Sequence, residues 1–218
     1  MAAALVTATP WGAWAEQTFG ITGGGVVGLS QDVRVWEFDA TGQPVALVDT
    51  RDTGVSAGPM GGLTYTLWGA NLGVQVEGLY WRMTVDADRP GGGSQIQVDQ
   101  DRVALLISVL GRLHFGEPGG IYGYLGAGAA VVWTDVNPGQ SEVGPGVGAL
   151  LGIAFPLGPR LRLRLEARYL VTADVDAGNS GLQAEPSGNS EGNLGKVLFG
   201  PHLDTQFVPI LVGLDWVF

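Results

Sequence analysis

Apolar and polar residues alternate along most of this chain, most cleanly in PRLRLRLEARYLV, Pro159 to Val171. Arg160, Arg162, Arg164, Glu166 and Arg168 fall on one parity; Leu161, Leu163, Leu165, Ala167 and Tyr169 fall on the other. A period of two is that of a β-strand, whose successive side chains point to opposite faces. No segment holds a helical period for three turns, so the chain reads as all-β. Eight strands are predicted. The first begins near Glu16 in EQTFGITGGGVVGL and continues through VRVWEFD, and the second runs from PVALVDTRD into MGGLTYTLW. The third is GVQVEGLYWRMTVD, the fourth IQVDQDRVALLISVLGRLHF and the fifth IYGYLGAGAAVVWTD. GVGALLGIAFPL, RLRLRLEARYLV and QFVPILVGLDWVF complete the set.

The links between these strands alternate in length. GANLG, GEPGG and LGPR are short turns, whereas long polar links are expected near residues 29–54, 87–95, 137–144 and 174–205. In an antiparallel meander alternate links lie at the same end, so one rim is tight and the other elaborate. Transmembrane β-barrels have this form, with short periplasmic turns and long outer loops. Each predicted strand also reaches the nine to eleven residues, roughly, that a tilted crossing needs. Aromatic residues stand near the strand ends: Trp68 and Phe115 by the short turns, Trp81 and Trp133 toward the long links, Trp216 and Phe218 at the C-terminus. These six are expected at the two membrane interfaces, where amphipathic rings favour headgroup level.

Composition sharpens the picture. The 218 residues contain no cysteine, which removes disulfides, thiolate metal sites and a cysteine nucleophile, and His114 and His202 are the only imidazoles. A net charge of −10 argues against nucleic acid, which needs clustered Lys and Arg. Lysine occurs once, at Lys196. No run of eighteen apolar residues occurs, and the candidate VALLISVLG from Val103 is half that length, so a closed barrel is the remaining way to span a bilayer. The expected organisation is a signal remnant or flexible N-terminus over residues 1–16, with an A-x-A pattern at Ala13–Ala15, followed by a single barrel domain over 17–218.

GIYGYLGAGAAVVW, GVGALLGIAFPLGPRLRLRLEARYL and the closing VGLDWVF resemble the outer-membrane protein A-type family of eight-stranded barrels, for the barrel only. The resemblance implies an eight-stranded antiparallel up-and-down transmembrane β-barrel in a Gram-negative outer membrane, with the lipid bilayer as its main partner. It also implies that Phe218, with Trp216 and Leu214 at alternating positions before it, resembles the signal read by the barrel-assembly machinery.

With the leucine face toward lipid, the arginine row points into the lumen. An ion-pair network is expected there from Glu77, Arg112, Arg162, Arg164, Glu166, Arg168 and Asp215. Asp215 runs beside Arg162 and Arg164, while Glu77 neighbours Arg112 and reaches Arg164 across the bore. Such a network is either a static plug, since eight strands leave room only for side chains, or a gated narrow pore. The long links are acidic and offer a surface for an unknown partner. Asp174, Asp176 and Glu185 approach the spacing of a calcium loop, but Gly178 and Asn179 stand where a ligand and the turn glycine are needed. No serine–histidine–carboxylate arrangement emerges around Ser108 or His114, and no cofactor is expected. The function expected is a non-enzymatic structural or surface-interaction barrel. The alternatives are a narrow pore for small solutes and a soluble lipocalin-like barrel with an apolar interior.

Overall fold

The computed structural model describes residues 16–38, 44–53, 57–87, 96–116, 119–137, 141–176 and 202–218. Strands form where the alternation lies: β1 (Glu16–Phe38), β2 (Pro44–Thr53), β3 (Ala57–Trp68), β4 (Leu72–Ala87), β5 (Ile96–His114), β6 (Tyr122–Asn137), β7 (Ser141–Pro156), β8 (Leu161–Asp176) and β9 (His202–Val217). All neighbours pair antiparallel in chain order, and β9 returns to pair with β1, which closes the sheet. β2 and β3 are two parts of one wall strand. Gln31 opposes Thr53 and Val27 opposes Ala57, so one register runs along β1 past both. The barrel therefore has eight wall strands.

The register fixes its dimensions. Following ladder partners from Gly20 through Thr64, Glu77, Leu106, Ala130, Gly146, Thr172 and Thr205 returns to β1 at Gln31. That is eleven residues along the strand, or ten once the bulge between Gly28 and Ser30 is set aside. With the usual strand spacings, a stagger of ten over eight strands gives a tilt of about 41° and a backbone radius of about 8 Å. At that tilt about ten residues cross a 25 Å apolar band. Facing walls are close enough for their side chains to meet.

The termini described and the tight turns after β3, β5 and β7 share one rim, here called the turn rim; the opposite side is the outer side. The region expected as a long link near 29–54 is largely paired strand, because β1 runs on to Phe38 and β2 returns beside it. β7 likewise begins at Ser141, inside the link expected over 137–144. Residues 1–15 lie outside those described. Glu16, near which the first strand is expected to begin, is the first residue of β1 and takes part in the lumen, a role not expected of it.

Side chains sort by parity. On β4, Gln75, Glu77, Leu79, Trp81 and Met83 are buried, while Leu72, Val76, Tyr80 and Arg82 are exposed. On β5, Val103, Leu105, Ile107 and Val109 are all exposed, 45–61%, and alternate with buried Arg102, Ala104, Leu106, Ser108 and Leu110. A soluble barrel would invert this order. Aliphatic residues turned out along a closed wall, with charges turned in, are stable only where the outside is hydrocarbon. The soluble lipocalin-like alternative fails on this point.

Candidate functional site: the layered lumen

All seven residues expected in the lumen are there and buried: Glu77, Arg112, Arg162, Arg164, Glu166, Arg168 and Asp215. Their partners differ in part from those expected. At the turn rim, Arg162 makes a two-pronged contact with Glu16, Nη1 to Oε1 at 2.6 Å and Nη2 to Oε2 at 2.9 Å. Arg112 shares the same carboxylate at 3.0 Å and donates to the carbonyls of Gly69 and Ala70 in the first tight turn. The expected Arg112–Glu77 pair does not form. The register sets Leu106 opposite Glu77, six residues or about 20 Å along β5 from Arg112.

Aromatic rings line the next level. The Arg112 guanidinium lies 4.8 Å from the Trp68 ring centre and the Arg162 guanidinium 5.3 Å from that of Tyr122, within cation–π range. Trp68, Tyr122 and Tyr124 meet edge-on or tilted and pack with Leu110, Leu150 and Ala154. His114 rests against Tyr122.

A central ionic group follows. Arg168 pairs with both Glu77 and Glu166. Arg164 lies 3.6 Å from Glu166 and 3.5 Å from Asp215, and donates to the Thr64 hydroxyl at 3.0 Å. The Tyr124 hydroxyl donates to Glu166 at 2.8 Å. So Glu77 does reach across the bore, but to Arg168 and not to Arg164. Asp215, although opposite Arg162 in the ladder, pairs with Arg164.

Toward the outer side the lumen is apolar. Val26, Met60, Leu79, Trp81, Met83, Leu106, Val132, Leu170, Phe207 and Leu211 belong to one buried cluster. Arg102 caps it, donating to Thr172 and Gln100 with its guanidinium 4.9 Å from the Phe207 ring centre. The ionic group thus sits between two apolar plugs. A void beside Arg168, Ser108 and Leu150 measures about 10 Å³, no more than one water needs.

Glycines make room for this filling. A Cβ on Gly152, opposite Tyr124 on β7, would sit 2.3 Å from the tyrosine ring, and one on Gly20 would sit 2.1 Å from an Asp215 oxygen. Large inward side chains lie over cross-strand glycines because a bore of this radius cannot hold two large groups at one level.

Two of the six expected interface aromatics are luminal. Trp68 (3% exposed) shares parity with Thr64 and Thr66, and Trp81 (0%) with Glu77, so both face inward. Position near a strand end sets depth, whereas parity sets the face. Phe115, Trp133, Trp216 and Phe218 are exposed, 44–73%. The outer aromatic level is carried by Trp133 with Tyr80 and Tyr169, which donate to Asp101 and Gln206. Above it, outside the apolar band, the Thr84 hydroxyl and then the Arg82 guanidinium hold the Asp99 carboxyl below the ordinary aspartate range.

Of the three residues that approach calcium-loop spacing, Asp174 and Asp176 are strand residues of β8, with Asp176 paired to His202. Glu185 lies outside the described residues. Among the described residues no group of three His, Asp or Glu side chains is placed to hold a metal.

A closed eight-stranded barrel with an aliphatic exterior, exposed aromatics near both rims and charges sealed inside is an integral membrane barrel of the outer-membrane type. Solved structures that share its fold include two outer-membrane proteins. The outer membrane protein OprG from Pseudomonas aeruginosa superposes with a TM-score of 0.57 at 17% identity, over 92% of this chain and 95% of that one. Neisserial surface protein A superposes with a TM-score of 0.51 at 13% identity, over 92% and 96%. At such identities the likeness is one of fold alone. No protein-family model matches the chain, and no curated protein does.

Proposed function

We propose that this protein is a non-enzymatic outer-membrane barrel that conducts nothing and acts at the cell surface through its acidic outer strand ends and loops. The observation that carries this reading is the filling of the lumen, where Arg164, Arg168, Glu77, Glu166 and Asp215 are each no more than 5% exposed and apolar clusters lie on both sides. A gated pore would require Arg168 to leave two carboxylates at once, which strands three buried charges and costs several kcal/mol, roughly 3–5 for each broken buried pair. Phe218, exposed at the turn rim with its N–H on the Gln17 carbonyl, suits recognition by the barrel-assembly machinery.

The chain has no cysteine, so a single introduced thiol is an unambiguous probe. Ser108→Cys is nearly isosteric and lies at the level of the ionic group. The reading predicts that a small charged thiol reagent fails to label it in the folded, membrane-inserted protein and labels it fully once unfolded. Labelling of the folded protein at the rate of an exposed control such as Ser141→Cys would establish a water path and overturn the reading.

A further inference from the structure

The barrel does not stay closed on its outer side. The β3–β4 ladder ends at Met60 opposite Trp81, and the β7–β8 ladder ends at Gly146 opposite Thr172, yet all four wall strands concerned run on. Beyond those points β8, β9, β1 and β2 remain paired with one another, as far as Asp176–His202, Leu203–Val33 and Phe38–Pro44. The strands β4, β5, β6 and β7 remain paired as a second set, as far as Ala87–Ile96, Asp99–Asn137 and Asp135–Ser141. Among the described residues the paired wall therefore forks into two four-stranded leaflets with a cleft on either side.

One cleft has the longer edges. Along its ten residues β2 pairs with β1 on one side, and among the described residues its other side pairs with nothing. Residues Arg82–Ala87 of β4 face the same cleft, paired only to β5. At its floor the strands still touch, since a Cβ on Gly58 would meet the Arg82 carbonyl at 1.8 Å. An unpaired edge presents every second N–H and C=O of the strand to whatever enters, which makes it a template for another strand. Charge selects among entrants. The leaflet bearing the β2 edge carries Asp32, Glu37, Asp49, Asp52, Asp174, Asp176 and Asp204 against Arg34 and Arg51. Such an edge repels a second copy of itself and favours a basic entrant.

We propose that the cleft between β2 and β4 binds an extended, lysine- or arginine-rich polypeptide segment, which adds as a strand to the free edge of β2. The main-chain ladder supplies affinity and the acidic leaflet selects for positive charge. The proposal rests on the surface-acting reading above and names its partner.

The test uses the full chain in lipid nanodiscs and two synthetic twelve-residue peptides of alternating lysine and valine. One is unmodified; in the other, alternate amides are N-methylated, which keeps the charge and removes ladder bonding. Binding is read by anisotropy and by amide hydrogen exchange over residues 44–53. The proposal predicts that the unmodified peptide binds at least tenfold more tightly than the methylated one. It also predicts that the unmodified peptide slows exchange in β2 and that Asp49→Asn with Asp52→Asn weakens binding severalfold. Equal binding of both peptides would reduce the effect to charge alone and overturn strand addition. Slowed exchange that depends on protein concentration without peptide would identify a second copy as the occupant, with the same consequence. Absence of binding would overturn the proposal outright. None of these results touches the sealed-lumen reading, which is tested separately by labelling of Ser108→Cys in the folded barrel.

Discussion

Glu16 holds the turn rim together, because a single carboxylate serves Arg112 from β5 and Arg162 from β8, with rings beneath both. Glu16→Gln leaves two largely buried guanidiniums without their shared anion, and is expected to lower unfolding free energy by on the order of 2–3 kcal/mol, partial exposure reducing the figure for a fully buried pair. Urea-induced unfolding in lipid vesicles measures it; a loss under half a kcal/mol would show that the rim is held by the rings alone. In the centre, Arg168→Met strands Glu77 and Glu166 and is expected to cost about 3–5 kcal/mol, most of it recovered when Glu77→Gln and Glu166→Gln are added. No recovery in that cycle would mean that the ions do not act as one group. At the outer level, the Asp99 carboxyl is held below the ordinary aspartate range by Thr84 and Arg82. Its contribution to stability is therefore present above that range and fades as pH falls through the lowered value. A titration of Asp99 by carboxyl-resolved NMR is expected to shift upward toward the ordinary range in Thr84→Val.

For the strands, the lipid face and the lumen face make different demands. Leu151 is 64% exposed on β7, at the level of Leu125 and Ala167 on its neighbours. Leu151→Arg sets a charge against hydrocarbon and is expected to cost about 2–4 kcal/mol, whereas a charge at that depth on the inward face is met by counter-ions. A cost near zero in the same urea experiment would place Leu151 outside the apolar band. These demands are why so much of the fold is legible in the sequence. Alternation gave the eight wall strands and seven of the inward-facing charged residues, though not Glu16 or Arg102, since parity decides the face wherever the two sides differ so sharply. What alternation does not encode is height. Strands tilted by about 41° bring together residues far apart in ladder register, so Glu77 meets Arg168 across the bore and Arg112 descends to Glu16. Parity also contained signals that position near a strand end obscures: Trp68 and Trp81 share the parity of Thr66 and Glu77, and Glu16 that of Thr18 and Gly20. Tyr124 was legible only together with Gly152, because the glycine is what admits the ring.

At the scale of the molecule, the charge is polarised. The ionisable residues of the lumen centre and turn rim nearly balance, and the excess of acid lies on the outer strand ends, where Asp32, Asp49, Asp52, Asp99, Asp101 and Asp135 stand. The barrel anchors and the outer leaflets present. A closed detergent-stable barrel predicts heat-modifiability, with a gel mobility that shifts on boiling; an unshifted band would argue for an open sheet.

A barrel that conducts nothing depends most on the seal formed by the ionic group between its two apolar plugs. Planar-bilayer recording of the purified protein tests it directly. The filled lumen predicts no steady current above the leak of a protein-free membrane, with a path appearing only when the seal is cut, as in Trp81→Ala combined with Arg168→Ala. Discrete, reproducible channel openings from the unaltered protein would contradict the sealed lumen and make this barrel a pore.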